Sequence, residues 1–271
     1  MSINGVVERE AAFFDEIADD FFHLSEQEQK KLLLVDMATV ISNYPNHYQF
    51  AYNLMGEIKG KEILDMGCGD GKSSVIMAKK GAMVQAFDVS EKSLEIAKIR
   101  AKINNISDKI EFKKIFAERM EYPSAYFDLV FGVAILHHIN LEESSKEIAR
   151  VLKPGGMAIF IEPIAFSPLI VKIRNLPLIK ALVPNKGKQF LITEDERQIN
   201  YQDLDFFRKH FSVVSYSAFQ LFSRLDRIIG GYPIKRNKWL IALINQFDRF
   251  LLTRFSRLSR FGRWGVIKLV K

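Results

Sequence analysis

The sequence predicts an α/β protein built on a mostly parallel β-sheet with helices on both faces. Three observations lead there. Between about residue 60 and residue 162, short apolar runs alternate with stretches whose apolar residues recur every three or four positions. The connections are short and carry Gly, Pro, Asp and Ser. A glycine cluster, "MGCGDGK" at 66–72, follows directly on the first apolar run, at the strand end where a parallel sheet receives its ligands.

The elements follow in order. "EREAAFFDEIADDFF" and "EQEQKKLLLVDMATVI" read as helices from the spacing of their apolar residues. "EILDM" is a first strand, "DGKSSVIMAKKG" a helix closed by Gly81, and "AMVQAFD" a second strand. Ser90 caps the helix "SEKSLEIAKIRAKIN". "KIEFKKI" and "FDLVFGV" are the third and fourth strands. "LEESSKEIARVLKPGG" is a helix stopped by Pro154 and two glycines, and "MAIFIE" is the fifth strand. Beyond Pro163 the alternation breaks. Residues 165 to 183 read as helical and "PNKGKQFLITEDERQIN" as a polar loop. The helix "DLDFFRKH", the strand "FSVVSYSAF", a helical hairpin turned at "GGYP" and a last strand in "RWGVIKLVK" follow.

With 271 residues, 48% hydrophobic and 26% charged, the chain has ample material for a folded core. The start carries no basic segment followed by an apolar stretch, and no run is both long and charge-free enough to span a bilayer. A cytoplasmic location is expected. Cys68 is the single cysteine, so neither an internal disulfide nor a multi-cysteine metal cluster is possible. The net charge of +7 is concentrated at one end. Residues 221 to 271 hold 12 Lys or Arg against Asp226 and Asp248, which points to an anionic partner for that surface.

The glycines are spaced G-x-G-x-G (Gly67, Gly69, Gly71), with Asp65 two residues ahead of the first. A dinucleotide site uses G-x-G-x-x-G and keeps acids away from its pyrophosphate, and a P-loop places four residues before Gly-Lys-Ser. Neither fits. A ligand without phosphate, with a cationic amino acid end and a sulfonium, satisfies both the glycines and the acid. The helix N-terminus at 70–73 can face its carboxylate. Asp88, at the end of the second strand, is placed to accept hydrogen bonds from two ribose hydroxyls.

The stretch from 60 to 162 resembles the class I S-adenosylmethionine-dependent methyltransferases of the small-molecule type. The resemblance rests on "LDMGCGDG", "FDVS", "AERM", "FDLVFGVAILHHI" and "LKPGG" in that order. It implies a Rossmann-like, mostly parallel seven-stranded sheet, with N-terminal helices and a helical insertion (221–260) before an antiparallel last strand. The corresponding division is an N-terminal helical cap (1–58), a cofactor-binding core (59–164) and a C-terminal part (165–271) that covers the substrate. The resemblance also implies that Asp65, Gly67, Cys68, Gly69 and Gly71 line the methionine half of S-adenosyl-L-methionine. Asp88 then holds the ribose, Val89 packs on the adenine, and Ala117 and Glu118 meet the adenine edge. Val133 offers a carbonyl near the ammonium.

Methyl transfer to a hydroxyl needs a base as well as alignment and dryness. His137 and His138 follow the fourth strand, where the family's substrate pocket opens, and an imidazole there titrates near neutrality. Because neighbouring helical positions diverge by about 100°, one of the two is expected to face the pocket, with His138 preferred. Glu162, ending the fifth strand, is a further candidate base or amine anchor. "FFD" at 13–15 and "NYPNHYQF" at 43–50 supply aromatics to close over cofactor or acceptor. Covalent pyrimidine methylation would need a thiolate outside the cofactor loop, and no ligand-spaced Asp/His cluster suggests a metal.

The expected reaction is O-methylation of a small or lipophilic acceptor. N- or C-methylation of a small metabolite, RNA methylation through the basic C-terminal helices and a non-catalytic scaffold stay open as alternatives. In "WLIALINQFDRFLLTRFSRLSRF" one face holds Leu240, Ile244, Phe247, Leu251, Phe255 and Leu258, with Arg249, Arg257 and Arg260 largely opposite. That pattern suits a helix on an anionic membrane, a lid over an apolar pocket, or packing on the domain or on a second copy. Nucleic acid ranks below these, because the aromatics fall on the apolar side.

Overall fold

A computed structural model describes residues 3–42, 44–167, 198–222 and 238–271; for residues 3–7, 238–242 and 256 it describes the backbone only. The expected helix at 165–183, most of the polar loop after it, and the "GGYP" turn with the first arm of the hairpin lie outside the described residues.

Seven strands form one sheet in the order β3-β2-β1-β4-β5-β7-β6. They are β1 (Glu62–Met66), β2 (Met83–Asp88), β3 (Ile110–Lys114), β4 (Phe127–Val133), β5 (Leu152–Pro163), β6 (Val213–Phe219) and β7 (Trp264–Val270). The first five run parallel, and β7 pairs antiparallel with both β5 and β6. The order reverses between β1 and β4, which opens a crevice at the carboxyl ends of the strands.

Period-two side-chain alternation explains the two cores. Leu64, Met66, Val130 and Phe160 point to one face, under α6 (Leu141–Val151) and α7 (Leu204–Arg208). Ile63, Leu129, Phe131 and Ile159 point to the other, under α3 (Asn46–Leu54), α4 (Lys72–Lys79) and α5 (Glu91–Ile103). Helix α1 (Ile3–Phe22) and α2 (Glu26–Leu33) pack on α5, where Ala18, Phe21, Leu33 and Ile96 form a separate cluster.

Two boundaries differ from the sequence reading. The second helix stops at Leu33 rather than near Ile41. Its last carbonyl is claimed by the buried Arg100 and Asn104 of α5, and Asn104 also accepts from Val35 N–H, so the chain peels away to meet them. "LKPGG" belongs to β5 and not to the helix end: Leu152 pairs with Phe127, and the ladder resumes at Met157 after an irregularity that absorbs Pro154 and the glycines. In α8 (Lys238–Arg254), Ile244, Leu251 and the following Leu258 are only half-buried, while Leu243, Phe247 and Phe250 are exposed. Asp248 is buried and accepts from the N–H groups of Leu221 and Phe222. That pairing turns the helix so that its most apolar stripe faces outward; the side chain of Leu240 lies outside the described residues. Among the described residues no helix is long and apolar enough to cross a membrane.

Candidate active site

Strand β1 ends in a loop where Gly67 and Gly69 take left-handed backbone conformations, φ +66° and +51°. Such angles let the chain turn within three residues. A Cβ on Gly67 would strike Ile135, whereas one on Gly69 would project into open space. The loop is tied to β2 twice: Cys68 N–H donates to the Phe87 carbonyl, and Gly69 N–H donates to Asp88 Oδ2 at 2.8 Å. The other carboxylate oxygen of Asp88 accepts from Ser90 N–H.

A continuous cleft lies over this loop, in two lobes of about 360 and 370 Å³ that meet at Gly67, Gly69 and Val133. The first lobe is lined by Asp88, Val89, Ala117 and Glu118 and roofed by Phe13, Phe14 and Ile17 of α1. Helix α1 is held there because Asp15 accepts from Ser90 Oγ and Lys92 N–H, while Lys92 pairs with Asp19. The second lobe is lined by Asp65, Cys68, Asp70, Lys72 and Ser73, with Tyr44 and Tyr48 across from them, their rings stacked at 4.8 Å.

The electrostatics of the second lobe favour a cation. Burial pushes the Asp65 carboxyl up to about 7, against the stabilising hydrogen bond from Ser74 Oγ, and Asp88 and Asp70 push the same way. Burial raises Asp88 as well. Asp70 is neutralised by Arg100, whose Nη2 lies 2.5 Å from Oδ2. Burial lowers Lys72, which sits 4.8 Å over the Tyr44 ring. Cys68 is buried and its thiol is pushed well above its ordinary value, so it is no nucleophile here. A concave glycine loop opposite a buried, cation-seeking carboxylate, with Asp88 in the neighbouring lobe, fits S-adenosylmethionine and is unsuited to a pyrophosphate.

Two expected site residues lie elsewhere. Gly71, φ +75°, lines neither lobe; a Cβ there would come within 2.7 Å of the Ala97 Cβ, so this glycine permits α4 and α5 to pack. Glu162 is fully buried and does not reach the cleft. One of its oxygens accepts from Ile135 and Leu136 N–H, and the other sits 2.7 Å from His137 Nδ1. A carboxylate engaged in this way braces the turn after β4, where Ala134 adopts φ +54°. It is not a base for the acceptor.

Both histidines border the first lobe. His137 is held by Glu162. His138 Nδ1 lies 2.9 Å from Glu10 Oε1 of α1, and its ring meets Phe14 edge-on. The Glu10 partner, 128 positions away, and Lys72 had no assigned role in the sequence reading, whereas Tyr44 and Tyr48 belong to the aromatic run expected to close over cofactor or acceptor. For the lysine, only its place next to Gly71 gave a hint. Glu118 borders the lobe and accepts from Asn140 N–H, which secures the entry to α6. Among the described residues no group of three or more His, Cys, Asp or Glu side chains is arranged to hold a metal.

Residues 64–160 match the family model described as "Methyltransferase domain". This central part of the chain, from β1 into β5, is therefore similar to methyltransferase domains. It is 37% identical over 99 residues to a 27-O-demethylrifamycin SV methyltransferase of Amycolatopsis mediterranei, covering 36% of each chain. It is 32% identical over 118 residues to a ubiquinone biosynthesis O-methyltransferase of Bordetella avium, covering 43% of this chain and 48% of that one. The matched segment thus spans less than half the length of these curated relatives. A crystal structure of geranyl diphosphate C-methyltransferase from Streptomyces coelicolor, with S-adenosyl-L-homocysteine bound, shares the fold. Its TM-score is 0.51 at 14% identity, over 82% of this chain and 77% of that one.

Proposed function

We propose that the protein is an S-adenosylmethionine-dependent methyltransferase that methylates a hydroxyl of a small or lipophilic acceptor. It would work in the cytoplasm, in peripheral contact with an anionic membrane through its basic C-terminal helices. The observation that carries the activity is the cleft at the β1/β4 reversal, where the glycine loop, Asp88 and the buried Asp65 converge on one ligand. The two O-methyltransferases among the relatives support oxygen as the acceptor atom.

When bound, S-adenosylmethionine supplies a methyl group already activated on a sulfonium. In this reading Asp65 and the α4 N-terminus hold the amino acid end, Asp88 the ribose, and Val89, Ala117 and Glu118 the adenine. Phe13, Phe14 and Ile17 exclude water from above. His138 acts as the base. With Glu10 ionised, Nδ1 carries the imidazole proton and Nε2 keeps a lone pair for the acceptor hydroxyl. Glu162 and His137 fix the turn that presents it.

Calorimetric titration with S-adenosylmethionine and S-adenosylhomocysteine tests the reading. Binding by the wild type, weakened in Asp65→Asn and Asp88→Ala, is expected. Labelled donor offered with phenols, lipids or amines then identifies the acceptor atom. A folded sample that binds neither ligand would favour a non-catalytic scaffold.

A further inference from the structure

We infer that the outward face of α8 is a membrane-docking surface, built to lie in the interface of a bilayer rich in anionic lipid. This refines the membrane contact proposed above and rests on that reading; it names which face makes the contact and why the helix is turned that way. It does not depend on what the cleft methylates.

The orientation is set by Asp248. This acid is only 3% exposed, and both of its carboxylate oxygens accept backbone N–H groups from the end of the β6 segment. Leu252 packs on the main core from the same side of the helix. At 3.6 residues per turn, Leu243, Phe247 and Phe250 fall within about 60° of one another on the opposite side. There Phe247 is 54% and Phe250 59% exposed. Phe222 extends the patch, its ring 6.1 Å from Phe247. Four large exposed apolar side chains on one surface exceed what scattered surface residues explain.

The charge around this patch selects its occupant. Arg249, Arg254, Arg257 and Arg260 are all exposed. From residue 238 to the last residue the only acid is Asp248, and it is buried. Residues 238–271 therefore give this surface an apolar centre and arginines, and their one acidic side chain is buried. A second copy of this chain would bring arginine against arginine across the interface. A bilayer interface with anionic headgroups accepts both parts at once: phenylalanine rings enter the acyl boundary while the arginines stay among phosphates.

The test uses the full chain and vesicles of phosphatidylcholine, alone or mixed with phosphatidylglycerol. The wild type is expected to co-sediment with the mixed vesicles and poorly with the neutral ones. Phe247→Ser with Phe250→Ser should reduce partitioning by about tenfold or more. Arg254→Gln with Arg257→Gln should reduce it by about fivefold per arginine. Thermal unfolding and cofactor titration, both expected to be unchanged, verify that the variants fold. A wild type that never sediments overturns the membrane reading as a whole. A wild type that sediments as strongly as its phenylalanine variant leaves the contact standing and overturns the choice of face. A dimer in solution that the phenylalanine variant dissolves, without vesicle binding, would assign the patch to a second copy. Salt-sensitive RNA binding lost only with the arginines would assign it to nucleic acid.

Discussion

Asp88 Oδ2 accepts the Gly69 backbone N–H at 2.8 Å, so the acid that ends β2 also fixes the glycine loop that ends β1. One carboxylate thus shapes the cradle and stands at the lobe assigned to the ribose. Asp88→Ala should weaken S-adenosylhomocysteine binding by about 1.5–3 kcal/mol, the range for a hydrogen bond to a charged group. Calorimetry measures it. An affinity equal to the wild type would remove the ribose assignment.

The raised carboxyl of Asp65 predicts a pH dependence with a definite sign. In the empty protein this group holds its proton up to about pH 7, mainly because it is buried. A free aspartate loses its proton near pH 4. Since the folded pKa lies above the unfolded one, this group's stabilising contribution is complete below about pH 4 and is lost as pH rises through 7. Cation binding requires the ionised form, so the linkage on the ligand runs the opposite way. Affinity should rise about tenfold per unit between pH 5.5 and 6.5 and level off above 7. Asp65→Asn should be weaker and flat over the same range. A wild-type profile as flat as the variant would separate Asp65 from the ammonium.

The Glu10–His138 pair gives a kinetic prediction. Removing a positioned base costs about 10²–10⁴-fold in rate. His138→Gln should therefore lose at least about a hundredfold in kcat towards a hydroxyl acceptor, with cofactor affinity nearly retained. Glu10→Gln leaves the imidazole in place but removes the charge that holds its proton on Nδ1. Its expected effect is a smaller loss in kcat than that of His138→Gln, with cofactor affinity nearly retained. Loss of cofactor binding in both variants, with kcat per bound enzyme unchanged, would make the pair a closure for α1 and not a catalytic device.

The parallel core was legible because its signals are local: alternation, Gly81 closing α4, Ser90 capping α5, and the glycine spacing with Asp88 one strand later. Sites that depend on sums over distant residues were not. Glu162 reads as a strand-end acid until Ile135, Leu136 and His137 are seen to occupy both of its oxygens. His138 gives no hint of Glu10, since that contact exists only once α1 crosses the cleft. Helical periodicity identified α8 as amphipathic but left open whether its apolar stripe meets the domain, a lid position or a membrane. A mid-helix aspartate is ordinarily read as solvent-facing, and the distant N–H groups of Leu221 and Phe222 help to make its burial favourable.

Gly69 and Gly71 stand two residues apart, both left-handed, and the structure assigns them different work. An alanine at either position meets the same backbone penalty, roughly 1–2 kcal/mol. The space beyond the new methyl separates them. At Gly69 it projects into the open cleft, where nothing of the protein lies within 4 Å. Gly69→Ala should fold with a modest drop in Tm and lose cofactor affinity, because the methyl occupies the ligand's place. At Gly71 it meets Ala97 Cβ at 2.7 Å and Ala97 Cα at 3.0 Å, and the latter is backbone that cannot rotate aside. Gly71→Ala should therefore add an overpacking cost of about 1–3 kcal/mol. Its Tm should fall further, while the molecules that remain folded bind the cofactor more nearly like the wild type. Thermal unfolding and calorimetry on the two variants decide it. Equal loss of affinity in both, at equal stability, would return Gly71 to the cofactor loop.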